Sequence, residues 1–258
     1  MIAAERERFL ADYLRIRQAE GRGSDDPAYY LTLPHEPIRA RTYRYMERNI
    51  LPTMERSAGR PLDLLDLGAG TGWMSYRLAR RGHRPVAVDI LTDRRDGLAA
   101  ARHFFERLDR SFPRIDAEFD ELPVPDASFD AVLYNASLHY SSDYSRTLAE
   151  AKRCLRPGGR ILILDSPVYR LRLHGEMMRR ERHAQFLAQY GTTSDHIASI
   201  EYLDLPAIAA LARELGIEWR IHKPWCGLAW HLRPWKAVLS NSRPPSRFWI
   251  LEGKLISR

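Results

Sequence analysis

Three glycines at alternate positions, Gly68, Gly70 and Gly72, stand directly after the apolar run Leu62-Asp63-Leu64-Leu65-Asp66-Leu67. That run is too short for a buried helix and reads as a β-strand covered on both faces. Helical spacing resumes through Met74, Leu78 and Ala79, so the local order is strand, glycine turn, helix. Glycine permits positive φ and removes the Cβ that would hold a ligand away. The free N–H groups of the following helix face the same space. Two cofactor readings meet at this turn. The dinucleotide fingerprint needs G-x-G-x-x-G, but Trp73 occupies the place of its third glycine. Asp66 at the strand tip would repel a pyrophosphate and suits a zwitterionic ligand with a free amino group.

The chain then alternates strands and helices. Pro85 to Ile90 reads as a second strand ending in Asp89, nineteen residues past Gly70. A β-α-β unit brings that tip beside the first, where a carboxylate accepts the ribose hydroxyls of a nucleoside and Ile90 presses on the base. A helix capped by Thr92 or Asp93 and running to about Arg110 should follow. Further strands are expected over Arg114–Phe119, Phe129–Tyr134 and Ile161–Asp165, with a helix over Asp143–Cys154 and a turn over Leu155–Arg160.

Taken with these downstream blocks, Asp66-Leu67-Gly68-Ala69-Gly70-Thr71-Gly72 resembles motif I of the class I S-adenosylmethionine (SAM) dependent methyltransferases. The segment Leu122 to Asp130 resembles a stretch common in type-11 methyltransferase domains, and Glu150 to Ile163 resembles their E-x-x-R-x-L-x-P-G-G block. The resemblance covers about residues 60–166. It implies an α/β fold, a doubly wound seven-stranded Rossmann-like sheet of order 3-2-1-4-5-7-6 with strand seven antiparallel. The implied cofactor is SAM, with S-adenosylhomocysteine as product. Family members place an acid four residues before the Leu122 equivalent, on the adenine amino group. Glu118 stands there, beside Phe119, with Asp116 and Asp120 as rivals. Asn135-Ala136-Ser137-Leu138-His139-Tyr140 falls where the family keeps residues beside the methionine portion and the acceptor. Asn135 is expected on the cofactor, with Tyr140 and Asp165 facing the substrate. His139 has the chemistry of a general base near neutral pH, or else packs.

Residues 1–60 read as a helical extension, with one helix over Met1–Glu20 and another over about Glu36–Met54. It resembles the segment that covers the SAM site in small-molecule methyltransferases, with Tyr29 and Tyr30 lining that lid or packing it down. Residues 61–258 form the SAM-binding domain, with 166–203 inserted over the active site. Leu205–Leu215 reads as a helix, and Gly216–His222 and Phe248–Ile256 as the last two strands. Trp225, Trp230 and Trp235, with basic neighbours, either meet an apolar or membrane-associated acceptor or cover the sheet edge.

No stretch has the apolar length of a membrane span, and Met1–Leu10 is too charged for a signal peptide. Cys154 and Cys226 form no metal or redox spacing, so no metal and a reduced cytoplasmic setting are expected. The net charge of +7, nearly all arginine among the bases, means either an anionic partner or scattered solvated charge. Without an RNA-binding module or basic clusters interleaved with aromatics, nucleic acid is not expected as a partner. A small organic acceptor leads: a natural-product, quinone or lipid-like intermediate, with peripheral membrane contact open. An RNA or protein methyltransferase and a non-catalytic SAM-binding protein are the alternatives. Oligomeric state is not legible.

Overall fold

The computed structural model describes residues 3–193 and 197–256. Four helices come first: α1 (Ala3–Ala19), α2 (Pro27–Leu31), α3 (Pro37–Asn49) and α4 (Leu51–Ala58). The single helix expected over 36–54 is thus two, parted at Ile50. Pro52 lacks the N–H a continuous helix needs and sits in the first turn of α4, where that loss costs little.

The core alternates β1 (Asp63–Leu67), α5 (Trp73–Arg80), β2 (Arg84–Asp89), α6 (Arg102–Phe105), β3 (Arg114–Asp116), β4 (Phe129–Asn135), α7 (Tyr144–Cys154) and β5 (Leu155–Leu164). The helix expected from 92 to 110 is mostly absent. Asp93 Oδ1 accepts from the N–H groups of Arg95 and Asp96, a capping turn with no helix behind it. The chain instead loops back so that Leu98 N–H meets Leu91 O at 2.9 Å. Only a 3-10 turn, Leu98–Ala101, and α6 remain. The third strand is also shorter than expected, ending at Asp116 rather than Phe119. The turn expected over 155–160 is a bulge inside β5, since Phe129 pairs with Leu155 and Ala131 with Arg160. Extra residues on one strand of a pair bend it without ending it.

The remainder comprises β6 (Val168–Tyr169), α8 (Arg172–Tyr190), β7 (Leu203–Asp204), α9 (Leu205–Leu215), β8 (Ile217–His222), α10 (Leu228–His231), α11 (Arg233–Leu239) and β9 (Ile250–Leu255). The main sheet runs β3-β2-β1-β4-β5-β9-β8. β9 is antiparallel to both neighbours. With the two-residue β6–β7 ladder set aside, this is the order 3-2-1-4-5-7-6. Leu64, Leu65 and Leu67 of β1 are fully buried, as are Val132, Leu133 and Tyr134 of β4. Burial on both faces explains why these strands read as unbroken apolar runs. Side chains alternate between two cores, Leu64 and Leu133 in one, Leu65 and Val132 in the other.

Two peripheral segments meet each other. Arg15 of α1 donates to Tyr190 O at the end of α8, at 2.9 Å, and Thr192 Oγ donates to Asp12 Oδ2 at 2.8 Å.

Candidate functional site

The carboxyl ends of β1, β2 and β4 open into one cavity of about 260 Å³. Its floor is the glycine turn. Gly68 has φ +70°, and a Cβ there would lie 2.3 Å from Ser137 Cβ. Only glycine therefore lets the β1 turn approach the β4 turn, where Ser137 Oγ donates to Leu67 O at 2.6 Å. Gly68, Ala69, Gly70 and Thr71 line the cavity. Gly72 does not: its Cβ would press on Phe112 and Ala101, so it serves packing beneath the turn.

Asp66 is completely buried at the tip of β1 and reaches the cavity wall. Its Oδ2 accepts from Ser75 Oγ at 2.7 Å, while Oδ1 has no partner among the described residues. Burial pushes this carboxyl up to about 6, against the Ser75 hydrogen bonds and helped by nearby Asp89. A buried acceptor without a donor is costly, and a ligand ammonium in the cavity would supply one. Asp89 accepts from Gly70 N–H at 2.7 Å and Leu91 N–H at 2.8 Å, one on each oxygen. Each carboxylate oxygen has a second lone pair free for a hydroxyl. Burial raises the Asp89 carboxyl, the backbone donors opposing it. These two acids and the glycine turn fit the amino group and ribose of SAM.

Ile90, Glu118, Phe119, Asn135 and Tyr140 line the same cavity. Of the rivals to Glu118, Asp120 also lines it but accepts from Thr147 Oγ at 2.6 Å. Asp116 faces outward against Arg6. Tyr29 lines the cavity and accepts from Gly23 N–H, whereas Tyr30 is buried behind it. Tyr30 donates to Arg95 O and stacks on His103, so it holds the extension down.

His139 and Asp165 are not among the residues that line the cavity. Expected at the acceptor, both lie one layer back. The half-buried His139 ring sits 4.5 Å from that of Tyr140, and its Nδ1 meets Ser166 Oγ at 3.3 Å. Burial, then the charges of Arg39 and Arg182, lower its pKa to about 3. Both oxygens of buried Asp165 take the Thr42 hydroxyl, at 2.8 and 3.0 Å. Burial holds that carboxyl at about 6 despite Arg39.

Sequence reasoning missed much of the opposite wall. Phe9, Leu10, Tyr13 and Arg17 of α1 line the cavity, as do Glu36, Arg39 and Ile197–Ser199. The helical spacing of Phe9, Tyr13 and Arg17 was readable, but spacing does not say which surface a helix covers. Arg17 pairs with buried Asp96 at 2.5 Å, and Tyr13 meets Tyr140 edge-on at 6.3 Å. Glu36 pairs with Arg22. Among the described residues no hydrogen bond or ion pair holds the Arg39 guanidinium. Behind Ile197–Ser199, Glu201 N–H donates to His139 O at 2.7 Å, and Ile200 N–H to Ser141 O at 2.9 Å. Among the described residues there is no group of three or more His, Cys, Asp or Glu fit to hold a metal ion.

Residues 65–163 match the family model described as a methyltransferase domain. The chain is 32% identical over 130 residues to the sarcosine/dimethylglycine N-methyltransferase of Halorhodospira halochloris, covering 50% of this chain and 46% of that protein. It is 35% identical over 127 residues to the ubiquinone/menaquinone biosynthesis C-methyltransferase UbiE of Methylobacterium nodulans, covering 48% and 49%. The chain thus spans about half the length of the curated relatives it matches. Among solved structures it resembles the 1,6-didemethyltoxoflavin-N1-methyltransferase of Burkholderia thailandensis, bound to 1,6-didemethyltoxoflavin and S-adenosylhomocysteine. That likeness covers 91% of this chain and 92% of the other, with a TM-score of 0.50 and 17% identity, and it is one of fold.

Proposed function

Taking residues 65–163 as a SAM-dependent methyltransferase domain, we propose that the protein transfers the SAM methyl group to a small organic acceptor. The observation behind this reading is the cavity at the strand ends, in which Asp66 Oδ1, without a partner among the described residues, and the Asp89 carboxylate lie at adjacent strand tips. Asp66 takes the ammonium of the methionine end, and Asp89 takes the ribose hydroxyls. Ile90 and Phe119 hold the adenine faces, with Glu118 at its amino group and Asn135 beside the methionine chain. Arg39, a cation in the wall with no ion-pair partner among the described residues, faces the methionine carboxylate.

SAM supplies an electrophilic methyl on a sulfonium, which leaves as the neutral thioether of S-adenosylhomocysteine. The protein's share is alignment of acceptor and sulfonium and exclusion of water, which can be worth effective molarities of roughly 10⁵ M or more. In this reading His139 works from behind Tyr140, setting the ring that faces the acceptor, rather than as the base. The roof supports a small acceptor: α1 on one side and Ile197–Ser199 on the other narrow a cavity of about 260 Å³, smaller than most small-molecule sites. The two relatives bear the names of an N- and a C-methyltransferase of small molecules. They match this chain over only half its length, and the segments that would choose the acceptor are those of the roof.

Calorimetry with SAM, S-adenosylhomocysteine and NAD tests the cofactor. Binding of the first two without the third is expected, and NAD binding with no SAM response overturns the reading. Isotopically labelled SAM incubated with cell extract, followed by mass spectrometry, identifies the acceptor. Label appearing only in RNA or protein would overturn the small-molecule reading.

A further inference from the structure

Sequence reasoning left the Trp225–Trp235 segment divided between an outward role and cover for the sheet. Trp230 does turn inward: its ring lies 5.4 Å from Phe248, with the Arg233 guanidinium over it. The others do not. Trp225, Leu228, Leu232, Trp235 and Leu239 recur at intervals of three and four along the loop, α10 and α11. This is the spacing of a helix stripe that ordinarily faces a core. Here it faces out: Trp225 is 65% exposed, Trp235 71% and Leu239 88%. Ala237 is the buried residue of α11, while Val238, beside the stripe, is exposed as well. Contiguous exposed apolar side chains of this size mark an interaction surface.

Charge identifies what the surface meets. From Trp219 to Leu251 the sequence has no aspartate or glutamate, while Arg220, Lys223, Arg233, Lys236, Arg243 and Arg247 fall within it. Arg243 is paired to Glu181 on α8, whereas Lys236, within the stripe itself, has no ion pair among the described residues. A second copy of this chain would bring basic stripe against basic stripe, with no acid between them. An anionic lipid surface offers both complements: a hydrocarbon boundary for Trp and Leu, and phosphate headgroups for Lys and Arg. Tryptophan and long basic side chains suit that boundary because each has an apolar body and a polar tip.

We propose that the outward stripe of α10 and α11, from Trp225 to Leu239, docks the protein onto an anionic membrane surface without spanning it. Among the described residues no helix is long and apolar enough to cross a membrane. The stripe lies outside the cavity described above, so the proposal stands or falls independently of the methyl-transfer reading.

The test is co-sedimentation of the full chain with vesicles of phosphatidylglycerol mixed with phosphatidylcholine, and with phosphatidylcholine alone. Tighter binding to the anionic vesicles by about tenfold or more is expected, weakening as salt rises. The triple variant Trp225→Ser, Trp235→Ser, Leu239→Ser should lose that binding while keeping its melting temperature and SAM affinity. A second variant, Lys236→Glu, should weaken it in a chain whose apolar stripe is intact. No binding to either vesicle overturns the proposal, as does unchanged binding by the triple variant. A stripe-dependent dimer in analytical ultracentrifugation with no vesicle binding would assign the surface to a second copy and overturn it too. RNA binding lost in the triple variant, again without vesicle binding, would do the same for a nucleic acid.

Discussion

The two walls of the cavity are built by different physics. On the sheet side, Asp66, Asp89 and Asn135 sit at the ends of β1, β2 and β4, each held by a ladder of backbone pairs on both flanks. On the helix side, Tyr13, Arg17 and Arg39 stand on α1 and α3. Long-range side-chain bonds tie α1 down: Arg17 to Asp96, Arg6 to Ile90 O and Asp116, and Arg15 to Tyr190 O. A ladder places its groups rigidly, whereas isolated ion pairs in partial solvent contribute little each. The sheet wall therefore fixes where a ligand binds, and the helix wall sets how firmly it is enclosed.

The substitution expected to do most damage is on the sheet wall. Asp89→Ala removes the proposed ribose acceptor and the brace on Gly70 N–H. With charged hydrogen bonds worth about 1.5–3 kcal/mol each, SAM should bind roughly 100-fold more weakly or worse. An unchanged dissociation constant by calorimetry would mean that the ribose acid lies elsewhere and that the sheet wall is not the anchor.

Asp66→Asn separates affinity from stability on the same wall. The folded-state pKa of about 6 lies above the ordinary 3.8, so the folded apo-protein binds more protons than the unfolded chain between those values. Its stability from this group is full below pH 3.8 and is lost as pH rises through 6. The asparagine variant should accordingly melt higher than the parent at pH 8, by a free energy on the order of 3 kcal/mol or less. The gain should vanish near pH 4. SAM affinity should fall by about tenfold at pH 8, where the ammonium loses its anion. Equal melting at pH 8 would place Asp66 in a more polar setting than the one described.

A smaller effect is expected across the cavity. Arg17→Met frees buried Asp96 and loosens α1, so SAM should bind about three- to tenfold more weakly. Amide exchange should quicken over Ala3–Ala19 and stay unchanged in β1 and β4. Equal quickening on both walls would dissolve the contrast between them. His139→Ala should matter least to rate, leaving kcat within a few-fold while lowering the melting temperature. Its imidazole, with a pKa near 3, should add no inflection to the pH–rate profile around 6.5. A loss of about 10² or more in kcat would restore it as a general base.

The same contrast explains what could be read from the sequence. Asp66, Gly68, Gly70 and Asp89 were legible as neighbours in the cavity wall because strand tips in a parallel sheet converge at fixed spacing along the chain. Strand order followed from blocks whose spacing the family shares. The helix wall was legible only as helices. Phe9 and Tyr13 carry the signature of an amphipathic face, but their partners lie far along the chain, Tyr140 more than a hundred residues away. Gly72 and Tyr30 failed as site residues for a related reason. A motif gives the path of the backbone, and whether a side chain turns to ligand or core depends on neighbours such as Phe112 and His103, which no local pattern names. The Trp219–Leu251 stretch gave the opposite lesson, since its want of acids was plain in the sequence and its outward stripe was not.

The bonds from Arg15 to Tyr190 and from Thr192 to Asp12 join the two segments outside the shared domain, one preceding β1 and one following β5. They couple the two sides of the roof to each other. An exchange that imports the corresponding insertion of a relative without its N-terminal helices would leave Asp12 and Arg15 facing a surface they do not match. If the roof selects the acceptor as proposed, a new preference requires paired change in two distant stretches of the gene, or transplanting both at once.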